Sequence, residues 1–152
     1  MNKYLTILCI LCIYVSVNAQ HEKIIHNSFE INDASKITLN IYGEHTFEKW
    51  PGNNILTETT VKLHDASPAV FKHYLKEGRY EIIGKIDDNA LNISSVKMVR
   101  NPIKTSKGVC YEFVNTVVYY PEDYTVSGTD SLVKSQVSAS LPAEKNTEVI
   151  EN

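Results

Sequence analysis

Cysteine is scarce in this 152-residue chain, and scarcest where an exported domain would use it. Two of the three, Cys9 and Cys12, lie in the apolar N-terminal segment, leaving Cys110 alone beyond it. A lone thiol excludes an internal disulfide framework, so packing must supply the stability that exported domains often draw from disulfides. Basic runs are absent as well. With a net charge of −3 and no cluster of lysines or arginines, the chain has no footing for a phosphate backbone, which excludes nucleic acid as a partner. An anionic membrane surface is disfavoured for the same reason. The six glycines are isolated and suit turns and caps, not a phosphate-cradling loop. There is no Gly-x-Ser-x-Gly elbow, no His-Glu-x-x-His helix and no Cys/His pair at zinc spacing. The chain is therefore expected to be non-enzymatic and to carry no cofactor.

Beyond Val17 no second long apolar run occurs. The one present has the form of a secretory leader: Lys3 supplies a positive start, Leu5 to Val17 is nearly all apolar, and Val17-Asn18-Ala19 ends on small residues. Cleavage is expected between Ala19 and Gln20. Asn18, Gln20, His21, Glu22 and Lys23 end the run short of the roughly 20 apolar residues a membrane span requires. Neither Cys9 nor Cys12 follows the small residues of a lipoprotein site. The expected product is exported to the periplasm or cell surface, with no stable membrane insertion after cleavage. About 130 residues then remain, the size of one domain.

Within them the main signal is period two, the pattern of half-buried strands. Ile37, Leu39 and Ile41 share one face. Ile55, Thr57, Thr59, Val61 and Leu63 form another. Tyr80 with Ile82 and Leu91 with Ile93 are shorter examples. From Val109 to Tyr120, Tyr111, Phe113, Val117 and Tyr119 alternate with Val114, Val118 and Tyr120, which predicts a central strand covered on both sides. Gly43-Glu44 reads as a hairpin turn, Pro51-Gly52-Asn53-Asn54 as a second turn, and Asp87-Asp88-Asn89 as a third. One helix interrupts the strands over about 68–77, with Ser67 as cap, Pro68 at its first position and Gly78 at its end. The fold class expected is all-β: a mostly antiparallel, sandwich-like sheet with that helix across it, a short β-solenoid being the alternative. The expected organisation is a leader over 1–19, one β-rich domain over 20–120 and a polar, flexible tail over 121–152. In that tail Leu132, Val133 and Val137 are the only hint of a strand.

Few residues point to chemistry. Cys110 lies in an apolar strand, where burial raises a thiol's pKa and leaves it inert. The carboxylate pairs Glu44 with Glu48 and Glu77 with Glu81 are spaced as surface charges. Of five histidines, His64 and His73 flank the start of the helix and are weak candidates for a metal or a hydrolytic site. Aromatics are the better lead. Trp50 beside Pro51-Gly52, together with Tyr42 and Tyr120, are the binding candidates, because Tyr and Trp are enriched where proteins meet partners. Tyr111, Tyr119 and Tyr124 add to them.

From Ser35 to Leu63 the order is strand (Ile37, Leu39, Ile41), Gly43, a strand reaching Trp50, a Gly-Asn turn, and Ile55 to Val61. This resembles the opening of adhesin proteins of Bacteroidetes, exported proteins with β-repeat or "head" domains. The Ala19-Gln20 leader ending is similar to leaders of that phylum, and Asp130-Ser131-Leu132 looks like its O-glycosylation site. The resemblance implies an exported envelope module that binds an envelope protein or a glycan. The alternatives are a small periplasmic ligand carrier with an apolar cavity and a histidine-dependent hydrolase.

Overall fold

The structure, a computed structural model, describes residues 20–135. The expected leader over 1–19, and the part of the tail from 136 onward that includes Val137, lie outside the described residues. The strands are β1 (His21–Glu30), β2 (Lys36–Asn40), β3 (Glu44–Trp50), β4 (Asn54–His64), β5 (Ile82–Asp87), β6 (Ala90–Ser95), β7 (Lys104–Thr105), β8 (Gly108–Val109), β9 (Tyr111–Pro121), β10 (Tyr124–Val126) and β11 (Ser131–Lys134); the helix α1 is Pro68–Lys76. They form an all-β sandwich. One sheet has the order β1-β4-β9-β3, the other β10-β11-β2-β6-β5, and β7 and β8 make a separate two-stranded ribbon. Neighbours are mostly antiparallel; β2 with β6 and β3 with β9 run parallel.

Alternation decides which side chains enter the core. Along β4 the pattern is strict: Ile55, Thr57, Thr59, Val61 and Leu63 are buried and the residues between them are not. The buried threonines stay satisfied, since the Thr59 and Thr116 hydroxyls share a hydrogen bond of 3.0 Å, as buried polar groups must. Between the sheets, Ile37, Leu39, Leu91 and Ile93 pack against Ile55 and Val118.

The two sheets differ in length. β4 and β9 have 11 residues each, whereas β2 has 5 and β6 has 6, so at about 3.3 Å per residue the first sheet overhangs the second. Helix α1 covers the overhang. Its Phe71, with Tyr80, Ile103 and Cys110, packs on Val61 and Leu63 as a second core. The helix begins as its sequence requires: the Ser67 side chain accepts a hydrogen bond from the Val70 N–H at 3.3 Å, Pro68 occupies the first turn, and Gly78 follows with φ +67°. No helix among the described residues is long and apolar enough to cross a membrane.

Three expectations need correction. Gly43-Glu44 is not a hairpin, because β2 and β3 belong to different sheets. Gly43 instead carries the chain across the sandwich at φ +93°, so close to β9 that a Cβ would sit 2.2 Å from the Val114 carbonyl oxygen. The Pro51–Asn54 turn forms as expected and joins β3 to β4 across β9, which lies between them. Of these three turns, the one at Asp88-Asn89, with Asp88 at φ +49°, closes a hairpin, β5 with β6.

The domain also does not end at 120. β10 and β11 extend the second sheet through pairing of β11 with β2, with Leu132 opposite Ile37. Leu132 is fully buried, and Tyr124 is buried with its hydroxyl donating to the Ala34 carbonyl. Strands of three and four residues are too short to show a period. Finally, β9 is central, but the described residues cover only one of its faces.

Candidate functional site

The uncovered face of β9 is the most distinctive surface of the molecule. Val114, Thr116, Val118 and Tyr120 turn inward, and the alternation sends Tyr111, Phe113, Asn115 and Val117 the other way. Tyr111 is 63% exposed and Phe113 58%, and Val109, at the end of β8, is also exposed. Single exposed apolar side chains are ordinary; a contiguous set marks a contact surface. On neighbouring β4, Lys62 pairs with Phe113 and His64 with Tyr111. The His64 ring meets Phe113 edge-on, 5.5 Å between centroids at 85°.

Beside this row opens a cleft of about 1520 Å³. One side is the start of α1, with Pro68 and Val70. The other is the β7–β8 ribbon, with Lys104 and Lys107, and Val109, Tyr111 and Phe113 complete the wall. Cys110 turns away from it. The thiol is buried and donates to the Asp65 carbonyl oxygen at 3.3 Å, and the Cys110 N–H donates to Ile103 at 2.8 Å. Its role is structural.

A buried polar cluster braces the strand behind the cleft. Glu112, which follows Tyr111 on β9, accepts two hydrogen bonds from Arg79, from Nε at 2.8 Å and from Nη2 at 3.0 Å. Arg79 Nη2 also reaches the Asn101 carbonyl oxygen at 2.9 Å. Arg100 approaches the same carboxylate at 3.8 Å. Burial, the largest single influence, pushes the Glu112 carboxyl up, but Arg79, Tyr80 and Arg100 together outweigh it and hold the group below its ordinary value. Burial lowers the Arg100 guanidinium, while the bond to Glu112 raises that of Arg79. Tyr80 lies against the cluster, its buried hydroxyl without a hydrogen-bond partner among the described residues, and burial first, then Glu112, raises its phenol. Two cations share one carboxylate here.

A second open cleft, about 810 Å³, lies at the far end of the sandwich among Asp33, Pro51–Asn54, Glu122, Asp123 and Lys134. Its rim is acidic. Among the described residues, no group of three or more His, Cys, Asp or Glu is placed to hold a metal.

The residues singled out from the sequence do not converge. Trp50 is half-buried, donates from Nε1 to the Asn54 carbonyl oxygen at 2.9 Å, and packs on Gly52 so closely that a Cβ there would strike its ring. Tyr42 lies under Arg100. Tyr120 is a core residue, edge-on to Phe47 at 6.1 Å, so its reading as a binding residue is corrected. His64 reaches the cleft, whereas His73 sits on the exposed side of α1 beside Tyr74 at 5.2 Å. Of the secondary aromatics, Tyr111 is at the surface row and Tyr124 is in the core. Phe113, Val109, Lys104 and Lys107 were missed. The signal for Phe113 was present in the alternation, but a strand apolar on both faces does not say which face is covered.

No protein-family model, curated protein or solved structure matches this chain.

Proposed function

We propose that this chain is an exported envelope module that works by binding, in the manner of an adhesin, and that its contact surface is the open face of β9 with the adjoining cleft. The observation that carries the reading is the exposure of Tyr111 and Phe113 on the central strand β9, continued by exposed Val109 at the end of β8. Such a row is costly to leave in water, and a partner that covers it recovers that cost. Export is supported by the leader pattern, from Lys3 to the proposed cleavage at Ala19-Gln20. The partner class is an envelope protein or glycan.

The test is binding of labelled mature chain to envelopes of the producing cell, compared with Phe113→Ser and Tyr111→Ser variants. Val126→Ser, at an exposed apolar position on β10, serves as control. Loss of binding in the first two, with the control unaffected and all three melting like the parent, is the expected result. Equal binding by all four proteins would remove this surface from the function. A hydrolytic activity abolished by His64→Ala would replace the binding reading with an enzymatic one.

A further inference from the structure

The segment from Val96 to Arg100 reverses the usual arrangement of a surface loop. Its two cations are tied down. Lys97 Nζ donates to the Glu77 carbonyl oxygen at the end of α1, 2.8 Å away. Arg100 Nε donates to the Lys97 carbonyl oxygen at 2.9 Å, and the Arg100 side chain is only 2% exposed. The apolar side chains are the ones left outside: Val96, Met98 and Val99 are exposed, Val99 to 94%. Burying a guanidinium while presenting valine to water is unfavourable on both counts. The result is a fixed apolar knob.

The same molecule carries a matching hole, the cleft bordered by Val70, Val109 and Phe113. The knob stands at the C-terminal end of α1 and the cleft at its N-terminal end. A helix of 9 residues separates them by about 14 Å, and the anchored Lys97 and Arg100 keep the loop from reaching across. The charges beside the two features are opposite. Glu77 and Glu81 are exposed at the base of the knob, where the Val96 N–H donates to the Glu81 carbonyl oxygen at 3.0 Å. Lys104 and Lys107 flank the cleft. None of these four side chains is in an ion pair among the described residues.

We infer that the occupant of the cleft is a second copy of this chain, whose Val99 knob enters between α1 and the β7–β8 ribbon with its Glu77 and Glu81 facing Lys104 and Lys107. Two different patches meet in this contact, so it is head-to-tail and propagates into a ring or a filament. The inference rests on the reading of the cleft as a binding surface and names its partner.

Sedimentation velocity of the mature chain over a concentration series, alongside Val99→Asp and Phe113→Asp, tests it. The parent is expected to gain mass with concentration, and each variant to associate at least about tenfold more weakly. An equimolar mixture of the two variants is decisive. Each keeps one intact half of the contact, so the mixture should yield a species of twice the monomer mass and nothing larger. A parent that stays monomeric up to about 1 mM overturns the inference, as does a mixture that stays monomeric while the parent associates. Should either aspartate variant lose its fold by circular dichroism, Val99→Ser and Phe113→Ser carry the same comparison. A monomeric parent whose envelope binding is still lost in the Phe113 variant would remove self-association and leave the binding surface standing. A Phe113 change that alters neither would remove both.

Discussion

Arg100 lies over Tyr42 with its guanidinium carbon 3.7 Å from the ring centroid. That contact draws a cation from an exposed loop into the polar cluster behind β9, where Tyr80 flanks it at 5.3 Å and Glu112 at 3.8 Å. Cation–π attraction strengthens as water is excluded. The same burial leaves Arg100 Nη1 without a hydrogen-bond partner among the described residues, so Glu112 must compensate two guanidinium groups at once.

Glu112→Gln should therefore cost about 3–5 kcal/mol, the usual penalty for breaking a buried ion pair from one side. The pH dependence follows from the depressed carboxyl. A carboxylate held below its ordinary value of 4.5 contributes its full stability above that pH and loses it as pH falls through the folded value. Urea denaturation between pH 3 and pH 7 should show the parent losing stability below about pH 4.5 and the variant losing less. Equal slopes in the two proteins would show that the pair contributes nothing to acid sensitivity.

Gly43→Ala should be among the most damaging single changes. A methyl group would collide with the Val114 backbone at a φ of +93°, where L-residues are strained. A loss of at least about 2 kcal/mol is expected, read as a lower denaturation midpoint. Gly108→Ala is the comparison for φ alone, since at +122° its added Cβ has open space around it.

Leu132→Ala should cost about 2–5 kcal/mol, as for other buried leucines, because the side chain is fully buried against β2. A chain ending at Val126 should melt lower still. Thermal melting of both proteins decides whether β11 belongs to the cooperative unit, and a truncated chain with the parent's midpoint would show that it does not.

Tyr111→Ser and Phe113→Ser should each leave stability within about 0.5 kcal/mol of the parent, since both side chains stand largely in water. Equilibrium denaturation checks this. A large loss would mean that the row supports the fold and is not held free for a partner.

Much of the local structure was legible in the amino-acid order, because its causes lie within a few residues of one another. The alternation from Ile55 to Leu63, the Ser67-Pro68 start of α1 and the Asp88-Asn89 hairpin each follow from backbone preference and spacing. The all-β class follows from them together. Arrangement was decided elsewhere, by contacts between residues far apart. Ser35 and Asn89 pair across 54 positions, and Leu132 faces Ile37 across a still longer stretch. Such pairings place Gly43 between layers and make β11 a strand although its own period is unreadable. The face of β9 was the same kind of question. Its sequence is apolar on both sides, and only the second sheet and α1 decide which side is covered. Tyr111 and Phe113 became a surface because no element among the described residues passes over them, a fact of topology and not of the residues themselves.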